Sequence, residues 1–375
     1  MSRRRWNILY STGFGNFFGG GQISLLQLVT RLDSSIFNPC VFLPSIGVLA
    51  DQLRQKRIEV IIDELPGISL SNLDQNVSGL RRLVKLIDQY QIDLIHTDNP
   101  RHTFYMGIAA RIKKIPLVWH IRASNRDRYD YLLYILSNRL ILVANSLKDR
   151  FSWVKGSGKF VTIYNGVDID EFKKDAIPFS VHEYLGIPKD SLLITVIGRL
   201  EPLKGQIYLI EACGHAKDRI GNFYVLCVGD LADSDYLLKC RSLTEKHGLS
   251  DRIIFTGNRS DVIQILNSTD IFVLPSLLEA FPRSILEAMA AGKPSIVTRV
   301  GGCPEAVEEM KSGMIVPPGN SDILAEKIIL LAEDASLRDR LGQEARNRAE
   351  KIFSLEQNIM QTQNLYRQIL DGRII

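Results

Sequence analysis

The sequence predicts an α/β fold made of two doubly wound domains, and three observations carry that expectation. Apolar runs of strand length alternate with helical patterns through most of the chain, the signature of parallel sheet layers covered by helices. The alternation falters once, across the polar stretch 165–190 with Pro178 and Pro188, and then restarts. The length of 375 residues also exceeds the roughly 250–300 at which single cores stop growing.

In chain order, strands are expected at 7–11, 40–43, 58–62, 93–96, 117–121, 140–144 and 160–164. Helices fall between them, and 73–90 is an example, its apolar positions recurring at helical spacing. Beyond the polar stretch the strands resume at 192–197, 223–228, 252–255, 271–274 and 295–298. The last helical stretch, 355–370, has no strand after it and is expected to pack back across the domain junction. The expected domains are therefore 1–178 and 179–354, with 355–375 as the returning helix. Ligands of such sheets bind beyond the carboxyl ends of the strands, so two domains facing one another enclose a cleft. No repeat or low-complexity segment interrupts the pattern.

Composition narrows the class. An apolar content of 45% with 23% charged residues fits a globular chain and excludes a disordered one. The most apolar stretch, 131–143, is broken by Asn138 and Arg139 and is too short to span a bilayer. Arg3, Arg4 and Arg5 open the chain, but only 6–10 follows before polar and glycine residues, so no secretory apolar segment is read there. The five cysteines (Cys40, Cys213, Cys227, Cys240, Cys303) are scattered without a C-x-x-C pair. They read as reduced thiols of a cytoplasmic protein.

The charge is uneven. Residues 1–185 hold 24 Lys and Arg against 17 Asp and Glu, whereas the remainder holds 22 against 25. The excess gathers at Arg101, Arg111, Lys113, Lys114, Arg122, Arg126 and Arg128, beside Tyr129, Tyr131 and Tyr134. No nucleic-acid motif accompanies it, so nucleic acid is not an expected partner. An anionic acceptor, an anionic membrane at the inner face, or a solvated basic face remain.

The most informative segment runs from Leu274 to Pro294. Its leading strand ends in a loop bearing Glu279, and Pro282 stands where a helix begins, its fixed φ and missing N–H suiting the first helical position. Glu287 lies one turn further, with seven residues between the two carboxylates. The helix start formed by Phe281, Pro282, Arg283 and Ser284 offers amides to an anion, while the flanking carboxylates accept hydrogen bonds from hydroxyls. That pairing suits a ligand with both phosphates and sugar hydroxyls. Two plainer readings stand beside it: Ser284 and Glu287 fit the S-x-x-E capping box, and Glu279 fits a solvated loop carboxylate.

Two further strand-to-helix loops add to the pattern. After strand 192–197 comes Gly198-Arg199-Leu200-Glu201-Pro202-Leu203-Lys204-Gly205. Arg199 offers forked hydrogen bonds and Lys204 a mobile point charge at the place where a pyrophosphate would lie, although each alone also fits a surface cation. After the first strand comes a glycine loop with Gly13, Gly15, Gly19, Gly20 and Gly21, where backbone amides can approach phosphate. Its spacing is one residue too long for a dinucleotide fingerprint, no acidic ribose hook follows strand 40–43, and no P-loop lysine follows the glycines.

With these residues in view, the chain resembles the retaining glycosyltransferases of family 4, also described as glycosyl transferases group 1, over nearly its full length. The matching pieces are the glycine loop, Asn165-Gly166-Val167-Asp168, Gly198-Arg199-Leu200 with Lys204-Gly205, Phe255-Thr256-Gly257, the Glu279/Glu287 pair with Ala-Met-Ala-Ala-Gly-Lys-Pro, and Gly301-Gly302 leading to Pro304-Glu305. The resemblance implies a GT-B architecture of two Rossmann-like domains and an enzyme of the hexosyltransferase type. It would move a sugar from a nucleotide-diphosphate sugar to a glycan or lipid-linked acceptor in polysaccharide or glycolipid synthesis. Arg199 and Lys204 would hold the pyrophosphate, Glu287 the ribose, and Glu279 the transferred sugar. Gly198 and Gly257 would border the nucleotide, and Gly20 and Gly21 would approach the phosphate from the other domain. His120 matches the family's cleft histidine near the donor sugar; on its own it fits a packed histidine. Retention at the anomeric carbon is implied too, with the leaving phosphate helping to deprotonate the acceptor.

Departures from the family pattern lie in the first domain: Gln22 in place of an acid after the glycines, Asp98 for the second histidine of His-x-His after His96, and Arg122 close behind His120. They bear on the acceptor more than on the donor. No metal or other cofactor is expected, since Asp168-Ile169-Asp170 and Asp233-Ser234-Asp235 read as chance D-x-D strings. An acceptor-free nucleotide-sugar enzyme such as an epimerase, or a non-catalytic binding protein of the same fold, are the rivals.

Overall fold

The structure, a computed structural model, describes residues 5–16, 19–69, 73–156, 158–173 and 181–372. The chain divides into two compact units, Met1–Asn165 with Glu356–Ile375, and Gly166–Leu355. The division falls at Asn165/Gly166, ahead of the expected 178/179, because Val167 leaves the first unit and bridges Ser354. Backbone bonds from Val167 N to Phe353 O (2.9 Å) and from Leu355 N to Val167 O (2.9 Å) secure that bridge.

In the first unit the strands are β1 (Trp6–Ser11), β2 (Phe37–Leu43), β3 (Glu59–Ile62), β4 (Leu94–Thr97), β5 (Leu117–Ile121), β6 (Arg139–Leu142) and β7 (Phe160–Thr162). They form one sheet in the order β3-β2-β1-β4-β5-β6-β7, with every pair parallel. The helices between them are α1 (Gly20–Thr30), α2 (Val48–Gln55), α3 (Leu73–Gln89), α4 (Pro100–Lys113) and α5 (Asp130–Leu136). Strands β4, β5 and β6 are buried along their whole length, as expected of parallel strands covered on both faces. Helix α4 starts sharply because Asn99 accepts a bond from His102 N (3.3 Å) with Pro100 directly behind it.

The second unit holds α6 (Ile169–Lys173), α7 (Val181–Leu185), β8 (Leu192–Ile197), α8 (Gln206–Ala216), β9 (Phe223–Val228), α9 (Ser234–Lys246), β10 (Ile253–Gly257) and α10 (Val262–Ser268). There follow β11 (Ile271–Leu274), α11 (Arg283–Ala290), β12 (Ser295–Thr298), α12 (Cys303–Ala306), β13 (Met314–Val316), α13 (Ser321–Glu333) and α14 (Ala335–Ile352). The parallel sheet runs β10-β9-β8-β11-β12-β13. Strand β13 is absent from the sequence expectation, since its three residues follow polar, glycine-bearing chain and carry too short an apolar run to register. Helix α15 (Leu355–Leu370) then returns the chain to the first unit, where Tyr366 is fully buried.

Each sheet reverses its order once, between β1 and β4 in the first unit and between β8 and β11 in the second. Loops at the carboxyl ends of those strands are where open α/β sheets bind ligands. All five cysteines are free and buried. Among the described residues no helix is long and apolar enough to cross a membrane.

Candidate active site

In the second unit, the loops leaving β8 and β11 meet. Lys204 Nζ donates to Glu279 Oε1 at 2.7 Å, and Ser276 Oγ donates to the same oxygen at 2.8 Å. Glu279 is only 7% exposed, so it is not the solvated loop carboxylate of the plainer reading. A carboxylate this buried persists when it is paired and hydrogen-bonded, and Lys204 with Ser276 supply both.

Glycine geometry explains how the loops come so close. Gly205 closes a short 3-10 turn (Pro202–Lys204) at φ +69°, and a Cβ there would overlap the Pro275 carbonyl oxygen. Leu277 N donates to Leu203 O at 2.8 Å and pins the two loops together. From the other side Gly301, at φ +49°, lies against the Glu279 carbonyl with no room for a side chain, and Gly302 N donates to Ala280 O at 2.8 Å. Thr298 Oγ1 donates to Ser276 O. The loop carrying Glu279 is thus held on both flanks.

Arg199 lies on the same β8 loop, mostly exposed, with its guanidinium 3.1 Å from Glu201. Buried Gln206 donates to the Arg199 carbonyl at 2.9 Å, fixing the backbone but leaving the side chain to reach outward. The Lys204 stem runs over Gly198, where a Cβ would sit 3.6 Å from Lys204 Cδ. Gly257 ends β10, and its carbonyl accepts from Gly229 N at 3.0 Å.

Helix α11 corrects two expectations. Pro282 is the residue before the helix, extended at φ −74°, ψ 131°, and Arg283 is the first helical residue. No side chain caps this start, so the Ser284/Glu287 capping box does not form. The reason is position, since the capping side chain must come from the residue before the first turn and Ser284 is already inside it. Glu287 instead lies 3.6 Å from Arg283, which itself donates to Gly166 O at 3.1 Å. Burial raises the Glu287 carboxyl above the usual range, Arg283 pulls it back, and Glu171 raises it further. Phe281 is buried, its ring 5.6 Å from that of Phe353, so it supports the loop from beneath.

In the first unit, Gly20 and Gly21 open α1, and a Cβ on Gly21 would lie 3.5 Å from Arg122 Cδ. Phe17 and Phe18 of the glycine loop lie outside the described residues. His120 is buried in β5, its Nδ1 3.0 Å from His96 Nε2 and 3.3 Å from Arg122 Nη2. The packed-histidine reading therefore covers Nδ1 alone, because Nε2 is buried and has no hydrogen-bond partner among the described residues. Burial drives the His120 pKa well down, and Arg122 and His96 add to it. His96 falls to about 3, again by burial with Arg122 contributing.

The three departures are neighbours of this group. Asp98 lies 3.7 Å from Arg122. Burial lifts its carboxyl to about 6, against Arg122 and a hydrogen bond from Thr12. Buried Gln22 donates to Thr12 Oγ1 at 3.3 Å.

The basic cluster is partly consumed by the fold. Arg111 donates to Ile135 O, Arg126 to Asp149 O and Ser152 Oγ, Lys113 pairs with Asp88, and Arg128 stacks over Tyr129. Asp233 of the second D-x-D string caps α9 by accepting from Tyr236 N at 2.9 Å. Among the described residues no three His, Cys, Asp or Glu side chains are grouped to hold a metal ion. Ser276 and Tyr366 were missed by sequence reasoning. Ser276 had a signal, its place two residues past the strand end, but nothing local marks Tyr366.

Two family models match this chain, one described as Glycosyltransferase Family 4 over residues 18–171 and one as Glycosyl transferases group 1 over 180–348. The chain belongs to the family 4 glycosyltransferases and is a glycosyltransferase of GT-B fold. It is 28% identical over 320 residues to UDP-Gal:alpha-D-GlcNAc-diphosphoundecaprenol alpha-1,3-galactosyltransferase of Escherichia coli, covering 79% of this chain and 80% of that one. It is 25% identical over 381 residues to the capsular polysaccharide biosynthesis glycosyltransferase CapM of Staphylococcus aureus, covering 90% and 98%. Among solved structures, a glycosyltransferase from Rickettsia africae superposes with TM-score 0.88 at 22% identity over 98% of this chain and 99% of that one. Anabaena HepE in complex with UDP gives 0.84 at 24%, covering 96% and 100%.

Proposed function

We propose that this glycosyltransferase takes a sugar from a uridine-diphosphate sugar and transfers it, with retention and without a metal, to a lipid-diphosphate-linked glycan during surface polysaccharide assembly. The observation that carries the reading is the Lys204–Glu279–Ser276 group, its acid and hydroxyl buried, at the carboxyl ends of β8 and β11, beside the uncapped start of α11. Uridine and the lipid-linked acceptor are supported by what the Escherichia coli relative is named for.

In this reading Arg199, Lys204 and the amides at Arg283 and Ser284 receive the diphosphate, with Pro282 setting their direction. Glu279 accepts hydrogen bonds from hydroxyls of the transferred sugar, Glu287 from those of the ribose, and Gly198 and Gly257 leave room for the nucleotide. Gly20, Gly21 and His120 keep the donor-binding roles that the family resemblance gives them. As the anomeric bond breaks, negative charge grows on the departing phosphate and positive charge on the ring. Charges already fixed around that phosphate cost no reorganisation at the moment of reaction, which is where the rate gain arises. Lys204 is held by Glu279 before the donor arrives, so its position is set in advance. The leaving phosphate then accepts the acceptor's proton on the same face. Retention of both acids and both cations also favours turnover over a binding role.

Membrane association is part of the proposal. Tyr131, Leu132, Ile135 and Trp153 are exposed, with Arg128, Lys148 and Lys155 near them in the chain. Aromatic and cationic side chains together suit an anionic lipid surface. Co-sedimentation should then rise with the anionic lipid fraction of vesicles; binding indifferent to that fraction contradicts it.

The test of the whole reading is a titration with UDP, GDP and ADP, followed by product analysis with the matching sugar donor, with and without lipid-linked acceptor. UDP should bind tightest and a glycosylated acceptor should form, undiminished in excess EDTA. Donor isomerisation without acceptor would replace this reading with an epimerase, and activity lost to EDTA and restored by Mg²⁺ would remove the metal-free mechanism.

A further inference from the structure

A chain of buried rings in the first unit ends on His120, and its hydrogen-bond direction is set at both ends. Tyr10 Oη donates to Tyr366 Oη at 3.0 Å. Tyr366 Oη lies 2.5 Å from His96 Nδ1, and His96 Nε2 lies 3.0 Å from His120 Nδ1. All four side chains are 3% exposed or less.

At the far end Arg122 Nη2 points at the same His120 Nδ1 from 3.3 Å. A guanidinium only donates, so His120 Nδ1 must accept, and a neutral His120 carries its proton on Nε2. The donor facing Nδ1 from the other side is then His96 Nε2–H. His96 Nδ1 is left as an acceptor, and the Tyr366 hydroxyl is its donor. The near end gives the same answer independently, because a Tyr366 oxygen that accepts from Tyr10 has its own proton free for His96. In the opposite orientation Tyr10 would be a buried hydroxyl with no acceptor and Arg122 would face an N–H.

We propose that Tyr366, on the helix that returns to the first unit, is a positioning residue that acts through His96 to lock His120 as the Nε2–H tautomer. His120 then offers one hydrogen-bond donor and no base. This rests on the reading above, in which His120 serves the donor's sugar or phosphate oxygens, and it narrows that role: His120 does not take the acceptor's proton. Burial supports the assignment, since it holds His96 and His120 far below the usual histidine range and so neutral at working pH. It likewise keeps Tyr366 protonated. The unpartnered, buried Nε2 is the atom the lock presents.

Two variants of equal chemistry separate a lock from mere packing. Tyr10→Phe and Tyr366→Phe each delete one buried hydroxyl, but Tyr10 bonds neither histidine, and without it Tyr366 still has its proton free for His96. Ring-nitrogen NMR of the full-length protein, with its six histidines labelled with ¹⁵N, reads the proton positions without any substrate. In the unsubstituted protein, His120 should show a protonated Nε2 and a bare Nδ1. Tyr10→Phe should preserve that pattern and the kcat. Tyr366→Phe should mix the tautomers of His96 and lower kcat about tenfold, the worth of one well-aimed hydrogen bond, with the donor KM nearly unchanged. A proton on His120 Nδ1 in the unsubstituted protein overturns the proposal whatever the variants do, as do equal effects of the two substitutions. Should the protein turn over no nucleotide sugar, the spectrum still decides the lock, so the two failures are told apart.

Discussion

Glu279 shows what the residue scale decides. In sequence it was a loop acid with two readings; burial to 7% exposure and bonds from Lys204 and Ser276 make it a preorganised acceptor. Glu279→Gln keeps an oxygen for Ser276 but removes the charge that positions Lys204. A fall in kcat/KM on the order of tenfold to a hundredfold is expected, with the melting temperature little changed; steady-state kinetics beside calorimetry checks both. Lys204, Glu279 and Glu287 could be singled out in sequence because each lies just past a strand end or in the helix that follows it; that Lys204 meets Glu279, 75 residues away, could not be read there. Nor could the pairing of His96 with Tyr366, since their partnership joins positions 270 apart in the chain, and no local pattern encodes it.

Elements were legible where the chain is regular. Helix α3 and strands β8, β9, β11 and β12 fall at or within a residue of the expected bounds, because apolar periodicity sets them. Pro282 was misplaced by one step: its φ is fixed, but its ψ stays extended, which makes it the residue before the helix. The clamps on the Glu279 loop are the element-scale finding, and they are testable. Gly301→Ala meets both a left-handed φ of +49° and the Glu279 carbonyl, whereas Gly186→Ala, at φ +66°, meets open space. Gly186→Ala should cost about 1–2 kcal/mol, the strain of a left-handed alanine, with turnover intact. Gly301→Ala should cost more and also depress kcat/KM; denaturant melts and kinetics on both variants separate strain from clash.

For the whole molecule, two parallel sheets followed from alternation and length, while the unit boundary did not. It is drawn by the Val167–Ser354 bridge rather than by the prolines of the polar stretch. The first unit also carries a pH signature. His96 is lowered to about 3 and His102 to about 4 by burial, with His120 lower still than an ordinary histidine. Because these groups are neutral in the fold and ordinary when unfolded, at about 6.5, their contribution is full above that value and lost as pH falls towards 4. Asp98, raised to about 6, works oppositely, adding stability below its unfolded value near 4 and losing it as pH rises through 6. Three histidines outweigh one aspartate, so calorimetry from pH 7.5 to 4.5 should show the first unit's transition falling more steeply than the second's. Parallel transitions would contradict this.

The central claim is the proposal that Lys204 and Arg199 of the second unit stabilise the departing diphosphate, and Lys204 tests it most directly. Comparing kcat/KM and UDP affinity for the unsubstituted protein, Lys204→Ala and Arg199→Ala should show kcat/KM reduced by about 10²–10³ in each variant, with UDP binding weakened. Turnover close to that of the unsubstituted protein in Lys204→Ala would contradict the account.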